Sequence, residues 1–387
     1  MTDIRPSEIR PFQITATDEE LDDLRRRLHA TRWPEAETVD DWSQGIPLAY
    51  VQELCRYWAD DYDWRAREAR LNEFPQFVTR LEVDGTEALD VHFAHVRSPH
   101  DDATPLIMTH GWPGSIAEFQ DVIGPLTDPT AHGGDAADAF HVVCPSIPGY
   151  GFSSKPTQPG VGVGRIADLW GALMARLGYD RFLAQGGDWG SMITTMIGVR
   201  NPDHCMGIHL NMPIVIPSTM DDLTDEEQRS IADMEEHRKN GTGYSKIQST
   251  RPQTLGYGLT DSPAGQAAWI VEKFHAWTDN DGHPEDAVDR DHLLDNVMLY
   301  WLPQNAASSA RLYWESFRNP PFDIPQVPIG CSIFPNEIFR TSRRWAEAQF
   351  DDKLVHFNTL DHGGHFAAFE VPEIFVDEVR TCFRSMR

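Results

Sequence analysis

The chain has 387 residues, an apolar fraction of 40% and a formal net charge of −27. This length and apolar content suffice for two modules or for one large core with an insertion, and they argue against a disordered chain. The acidic excess disfavours binding to nucleic acid or to an anionic membrane.

The cysteine pattern and the hydropathy favour a cytoplasmic protein. Five cysteines are scattered along the chain without any CxxC pair, which is typical of reduced core thiols. No apolar stretch approaches the length of a membrane span, and residues 1–14 lack the apolar centre of a secretory signal. We therefore expect a soluble, unprocessed protein without a membrane anchor.

The N-terminal region is predicted to be helical. The sequence TDEE at residues 17–20 has the spacing of a capping box, and leucines at helical spacing follow it. This pattern predicts a helix that stops near residues 31–35. A second helical stretch, rich in aromatic residues, is predicted over about 47–71. We interpret its aromatic side chains as packing residues of a layer that covers the core.

From about residue 78 the hydrophobic period changes to that of β-strands. Residues 78–85 and 89–96 alternate between apolar and polar, which predicts an antiparallel pair joined at Asp84-Gly85. Short apolar strands then alternate with helical segments, which is typical of a largely parallel sheet wrapped by helices. These predicted strands cover residues 105–111, 140–151, 181–187, 327–335 and 353–360.

Between about residues 212 and 320 the strand pattern disappears, and charged helical and aromatic segments replace it. We interpret this insertion as a cap over the strand ends, where ligands bind in open α/β sheets. The predicted division comprises an N-terminal extension, the first part of the core, the cap and the second part of the core. Their predicted bounds are 1–95, 96–211, 212–320 and 321–387.

The stretch QGGDWGS at residues 185–191 lies where a predicted strand turns into a helix. Its small-x-nucleophile-x-small form is that of a nucleophile elbow, which usually carries serine in G-x-S-x-G. That motif is absent from this chain, and Asp188 occupies the central position. Asp188 is therefore the candidate nucleophile, with a simple helix-capping role as the alternative. Ser191 falls inside the following helix and is a poor candidate.

The partners of such a nucleophile follow it in the order acid, then histidine. His365 lies in a Gly-Gly-His loop after the last predicted strand, with His362 as its nearest competitor. Glu337 follows the preceding predicted strand and is the candidate acid. The alternative carboxylates, which surface or turn positions would equally explain, are Asp351, Asp352 and Asp361.

The turn HGWPGS at residues 110–115 follows the first predicted parallel strand. Such a turn directs backbone N–H groups inward, and the second half of an oxyanion hole is the N–H after the nucleophile. The candidate donors are the backbone amides of Trp112 and Trp189. A plain Gly/Pro turn is the alternative. An aspartate nucleophile displaces a leaving group at an sp3 carbon and forms an enzyme ester, which a histidine-activated water hydrolyses. Epoxides or alkyl halides are the expected substrates.

Taken together, several motifs resemble the microsomal-type epoxide hydrolases of the α/β-hydrolase superfamily over nearly the whole chain. They include RPFQITATDEELDDLRRRLHATRWPE, HGWPGS, PSIPGYGFS, GGDWGS, FPNE and GGHFAAFE. The resemblance implies an α/β-hydrolase fold with a mostly parallel central sheet, a helical cap inserted between sheet strands and an N-terminal wrapping extension. It also implies that Asp188 is the nucleophile, His365 the base and Glu337 the charge-relay acid.

In this family two cap tyrosines hydrogen-bond the epoxide oxygen and protonate the leaving alkoxide. By position they match Tyr244 and Tyr313, with Tyr257 and Tyr300 as competitors. The resemblance implies a hydrophobic aryl or alkyl epoxide and water as reactants, a diol as product, and no cofactor or metal. The physiological role stays open between detoxification and natural-product biosynthesis.

Three rival functions share parts of this pattern. A haloalkane dehalogenase has the same fold and nucleophile, and Trp189 could hold its halide, but the N-terminal module and the two tyrosines count against it. A non-catalytic binding protein usually lacks part of the triad. A metal hydrolase is disfavoured because His92 and His95 fall on opposite faces of an alternating strand. The oligomeric state is open, with a homodimer as one option.

Overall fold

The computed structural model describes residues 8–85, 87–217, 219–318 and 323–387. Within these residues one sheet has the strand order β1-β2-β3-β5-β4-β6-β7-β8-β9. Its strands are β1 (Ile9–Phe12), β2 (Gln76–Leu81), β3 (Leu89–Val96), β4 (Thr104–Thr109), β5 (Phe140–Pro145), β6 (Phe182–Gly186), β7 (Cys205–Leu210), β8 (Ile329–Ile333) and β9 (Leu354–Thr359).

The helices surround this sheet and also fill the long connection between β7 and β8. They are α1 (Asp18–His29), α2 (Leu48–Asp60), α3 (Trp64–Leu71), α4 (Gln120–Thr127), α5 (Val163–Arg176), α6 (Asp188–Arg200), α7 (Asp225–Glu236), α8 (Gly243–Thr250), α9 (Pro252–Asp261), α10 (Pro263–Trp277), α11 (Arg290–Trp301), α12 (Ala306–Ser316), α13 (Arg343–Phe350), α14 (Ala367–Glu370) and α15 (Pro372–Arg384).

The sheet is antiparallel at one edge and parallel elsewhere. β1, β2, β3 and β5 pair antiparallel, whereas the pairs from β5 through β4 to β9 are parallel. The predicted antiparallel pair is confirmed as β2 and β3, with Leu81 opposite Leu89. The five predicted core strands are confirmed as β4, β5, β6, β8 and β9.

Two strands of the sheet were not predicted from the sequence, β1 and β7. β1 is a short edge strand that contains Pro11, and proline is tolerated at an edge because its missing N–H costs no ladder hydrogen bond. β7 lies inside the sheet, but Gly207 and His209 interrupt its apolar run. His209 is fully buried and its Nε2 atom hydrogen-bonds the Ser332 hydroxyl at 2.8 Å, which explains why a polar side chain is tolerated there.

The N-terminal helices follow the prediction with one difference. α1 begins with the predicted capping box, in which Thr17 accepts from the Glu20 N–H and Glu20 accepts from the Thr17 N–H. The helix ends at His29, close to the predicted stop. The single helical stretch predicted over 47–71 is instead two helices, α2 and α3. The chain breaks between them because Asp63 caps α3 by accepting from the Ala66 N–H.

Helices α7 to α12, hereafter the helical insertion, lie between β7 and β8. The insertion contacts the turn that follows β4. Asn296 Nδ2 donates to the Pro113 carbonyl, and the Tyr300 hydroxyl donates to the Gly114 carbonyl, each at 2.7 Å. The exact domain bounds stay predictions. The predicted end of the cap at 320 and residues 1–7 of the extension lie outside the described residues.

Tyrosines of the N-terminal helices hydrogen-bond carboxylates of the insertion. The hydroxyls of Tyr57 and Tyr62 donate to Asp291 and Asp295 at 2.8 and 2.7 Å. Arg67 Nε also donates to Asp295, at 2.9 Å, and the Asp295 side chain is only 2% exposed. Besides the packing role that the sequence predicts, these tyrosines therefore have a polar role as hydrogen-bond donors to the insertion.

Among the described residues, no helix combines the length and the apolar character that a membrane crossing requires.

Replacing Tyr62 by Phe should lower the free energy of unfolding. The change removes a hydrogen bond to a buried carboxylate, which should cost about 1.5–3 kcal/mol. Tyr57→Phe is the matched control, because its partner Asp291 is 37% exposed and water can replace the lost donor. Urea unfolding followed by circular dichroism measures both variants, and equal losses would contradict this assignment.

Candidate active site

The turn from β6 into α6 is tight because backbones cross there without side chains between them. A Cβ atom on Gly186 would lie 2.1 Å from the Gly190 carbonyl oxygen, and one on Gly190 would lie 1.8 Å from the Thr109 carbonyl oxygen. Asp188 itself has φ 49°, a left-handed conformation that costs a non-glycine residue about 1–3 kcal/mol. The fold therefore stabilises a strained residue at the predicted nucleophile position.

The Asp188 carboxylate meets the turn after β4. The Trp112 backbone N–H donates to Asp188 Oδ1 at 2.8 Å. The Trp189 amide directly follows Asp188 in the first turn of α6, where N–H groups have no acceptor within their own helix. One predicted oxyanion donor thus contacts the carboxylate, and the other adjoins it in the chain.

His365 and Glu337 lie beside this carboxylate. Glu337 is in the turn after β8, and His365 is in the loop between β9 and α14. His365 Nδ1 is 2.6 Å from Glu337 Oε1, and His365 Nε2 is 3.4 Å from Asp188 Oδ2. The structure therefore brings together three residues that the sequence predicted from three separate segments.

The electrostatics of this group depend on burial. The side chains of His365 and Glu337 are 2% and 0% exposed. Burial alone would lower the pKa of the His365 imidazole, but the negative charges of Glu337 and Asp188 outweigh it and raise this pKa well above its usual value. The two neighbouring carboxylates therefore favour the protonated form of the imidazole.

The competing residues lie elsewhere. The His362 side chain is 75% exposed, and Ser191 is buried with its hydroxyl donating to the Met212 carbonyl at 2.6 Å. His92 is also buried and hydrogen-bonds side chains of the sheet, namely Ser146 and Gln76. The alternative carboxylates are all on exposed residues, Asp351, Asp352 and Asp361.

Tyr244 of α8 and Tyr313 of α12 are buried and share a cavity with Asp188. Their ring centroids are 5.9 Å apart, and the cavity has a volume of about 460 Å³. Burial and the Asp188 charge raise the pKa of both phenols, so each keeps its proton at neutral pH. The competitors are not in this cavity: Tyr257 is 72% exposed, and the Tyr300 hydroxyl donates to a carbonyl of the β4 turn.

The rest of the cavity wall is mainly apolar. Its buried and half-buried apolar side chains include Met192, Leu210, Met212, Ile338, Phe339 and Phe350. At the mouth, Ile216 and Phe317 are 62% and 47% exposed. The cavity can thus desolvate an apolar molecule while presenting the Asp188 carboxylate and two phenols to it, with the second carboxylate of its lining on the exposed residue Asp323.

Sequence reasoning missed several residues that support the site. Asn296 accepts from the Ser115 hydroxyl at 2.7 Å and, with Tyr300, holds the turn that carries Trp112. Half-buried Glu118 and Glu370 lie near the histidine, and burial raises their pKa values to about 8 and about 7. Glu370 ends the motif GGHFAAFE, but the other contacts join residues that are far apart in sequence and leave no periodic signal.

The chain matches two family models over partly overlapping ranges. The model described as epoxide hydrolase N terminus matches residues 9–119, and that of the alpha/beta hydrolase fold matches residues 104–240. A Stigmatella aurantiaca protein that is provisionally named an epoxide hydrolase is 54% identical over 98% of this chain and 86% of its own length. Epoxide hydrolase 1 of Sus scrofa is 36% identical over 96% of this chain and 88% of its own. The chain belongs to the epoxide hydrolase family.

Solved structures of this family share the fold. Aspergillus niger epoxide hydrolase has a TM-score of 0.87 and 32% identity, with 98% of this chain and 97% of that chain covered. Juvenile hormone epoxide hydrolase of Bombyx mori has a TM-score of 0.83 and 32% identity, with 98% and 94% covered. The predicted family and the α/β-hydrolase fold are both confirmed.

Replacing Asp188 by the isosteric Asn should lower the pKa of His365, because one of the two neighbouring negative charges disappears. Glu337→Gln should lower it as well. Imidazole titration by ¹⁵N NMR measures the shift, with Asp352→Asn, an exposed carboxylate, as the control. An unchanged pKa in both site variants would contradict the electrostatic account.

Proposed function

We propose that this chain is an epoxide hydrolase that converts a hydrophobic epoxide to a vicinal diol through an ester of Asp188. The observation that carries the proposal is the pairing of one carboxylate with two buried phenols across an apolar cavity. A carboxylate attacks an sp3 carbon, and a neutral phenol can protonate the oxygen that this attack releases. The aryl and alkyl epoxides fit the apolar wall.

In the first step an Asp188 oxygen bonds to an epoxide carbon as the ring C–O bond breaks. The Trp112 N–H holds Oδ1 as the future carbonyl oxygen, which leaves Oδ2 as the attacking atom. The released alkoxide takes a proton from Tyr244 or Tyr313. Because an alkoxide is far more basic than a phenolate, this transfer is favourable even with the raised pKa of the phenols.

In the second step water attacks the carbonyl carbon of the ester. Alkylation has removed the Asp188 charge, so the pKa of His365 falls; the ring gives up its proton, which restores the phenol, and the neutral imidazole can then act as a base. His365 takes a proton from the water, and the Trp112 and Trp189 amides stabilise the oxyanion. The intermediate then breaks its bond to the alkyl oxygen, His365 protonates that oxygen, and the diol leaves. The second water proton, which is left on the Asp188 carboxyl group, returns to His365 and restores the starting carboxylate–imidazolium pair.

The remaining modules have roles that follow from this chemistry. We assign the helical insertion as the cap, because it supplies both tyrosines. We assign the N-terminal extension as a wrap that fixes this cap to the core through its tyrosine–carboxylate hydrogen bonds. We also place the enzyme in the cytoplasm, in keeping with its five buried, unpaired cysteines.

A panel of styrene-type, terminal and internal epoxides tests the proposed activity. Purified protein should form diols from at least one of them, and Asp188→Ala should form none. Bromoalkanes of similar size, assayed for bromide release, test the rival dehalogenase. Bromide release without diol formation would replace the proposal with that rival, and binding of an epoxide without any turnover or ester would favour a non-catalytic receptor.

Replacing His365 by Gln should separate the two steps. Asp188 and the tyrosines remain, so the ester still forms, but no base activates water and the ester accumulates. Intact-protein mass spectrometry after mixing with epoxide should show the added mass of one substrate. Asp188→Ala should show no addition, and an addition that survives in this variant would place the nucleophile elsewhere.

Replacing Tyr244 or Tyr313 by Phe should slow ester formation by about 10²-fold, because general-acid help is lost. Breakdown of an ester that has already formed should be unaffected. Rapid-mixing tryptophan fluorescence resolves the two rates. Tyr257→Phe, at an exposed site of the same insertion, is the matched control, and normal alkylation without either phenol would remove the tyrosines from the mechanism.

A further inference from the structure

The C-terminal end of α10 and the turn after it, residues 277–279, contact both segments that carry the acid–base pair. The Trp277 carbonyl accepts from the backbone N–H of His365 at 2.9 Å. The Asp279 carboxylate accepts from the Gly363 N–H at 3.0 Å and from Asn336 Nδ2 at 2.6 Å. Gly363 lies two residues before the histidine, and Asn336 immediately precedes Glu337.

Glu370 completes this arrangement from the other side. One carboxylate oxygen accepts from the Phe366 N–H at 2.9 Å, and the other accepts from the Asp279 N–H at 2.7 Å. Phe366 immediately follows the histidine. Glu370 therefore connects the loop that carries His365 to the turn after α10. Asp279 connects the same turn after α10 to the segment that carries Glu337.

The carboxylates of Asp279 and Glu370 have no assigned role in either step of the proposed reaction. Neither lines the substrate cavity. Asp279 accepts two hydrogen bonds from the segments that flank the acid–base pair, and Glu370 accepts one from the histidine loop and one from the Asp279 N–H. An amide at either position would keep the shape but lose one acceptor, and its NH₂ group would face a donor. Their placement therefore calls for carboxylates specifically.

We propose that Asp279, together with Glu370, is a positioning residue that holds His365 and Glu337 in the relative position that ester hydrolysis requires. The inference rests on the proposed function. The acid–base pair lies on loops of the core sheet, whereas Asp279 follows a helix of the insertion. We call the hydrogen bonds of Asp279 and Glu370 the bracket. The insertion thus supplies the phenols for the first step and Asp279 of the bracket for the second. Small displacements of a catalytic base are costly because its reaction geometry is narrow.

This role predicts a defect confined to one step. Ester formation uses Asp188 and the two phenols, which an isosteric change at Asp279 leaves in place. Ester breakdown uses His365, whose distance to the ester depends on the bracket. Loss of the bracket should therefore slow breakdown and spare formation.

Single-turnover stopped-flow measurements with an epoxide that the wild-type enzyme hydrolyses test the prediction. In Asp279→Asn and Glu370→Gln, breakdown should fall by about 10-fold or more while formation stays within about twofold, so the ester accumulates. Asp281→Asn, an exposed carboxylate on the same turn, should match the wild type in both rates. Equal losses in both steps, or no loss in either, would overturn the positioning role.

A spectroscopic measurement separates this inference from the proposed function. The Nδ1 proton of His365, hydrogen-bonded to Glu337, should give a downfield ¹H resonance in the resting enzyme. That resonance should shift or broaden in Asp279→Asn and stay unchanged in Asp281→Asn. An unchanged resonance in Asp279→Asn would reject the positioning role even if epoxides are hydrolysed. If no epoxide forms an ester with the wild type, the proposed function fails and this resonance alone decides the bracket.

Discussion

The His365 imidazole lies between two carboxylates, with Nδ1 2.6 Å from Glu337 and Nε2 3.4 Å from Asp188, and it is almost completely shielded from water. Burial alone lowers the pKa of the ring and favours its neutral form, whereas the two charges raise the pKa and favour the protonated form. The proposed reaction converts one carboxylate into a neutral ester. The same atoms thus change the histidine from a paired cation to a base at the moment when a base is needed.

The surrounding fold can be understood as a means of holding this group together. The strained turn at Asp188 persists because backbones of β4 and α6 pass each other with only hydrogen atoms between them. The helical insertion covers the site. Its helices α8 and α12 carry the phenols, α11 hydrogen-bonds the turn that contains Trp112, and the end of α10 hydrogen-bonds the loop that contains His365. The N-terminal helices in turn fasten α11 through the buried carboxylate of Asp295.

Much of this arrangement was predictable, and the failures have physical causes. Asp188, Glu337 and His365 lie in the connections that follow three predicted apolar strands, so their positions could be inferred from local pattern and chain order. Tyr244 and Tyr313 lie on helices without such a marker, and only the family resemblance singled them out. β7 was missed because a glycine and a satisfied buried histidine break its apolar run. The Asp279 bracket joins three distant segments, namely residues 277–279, the turn at 336–337 and residues 363–370, and no local pattern encodes contacts between them.

The central claim is that Asp188 itself supplies an oxygen to the product. It is tested most directly by one turnover in ¹⁸O-labelled water, with enzyme in excess over epoxide. We expect an unlabelled diol and one ¹⁸O atom in the proteolytic peptide that contains Asp188, with label reaching the diol only in later turnovers. A diol that is fully labelled in the first turnover, with an unlabelled peptide, would mean that water attacks the epoxide directly and would contradict the covalent mechanism.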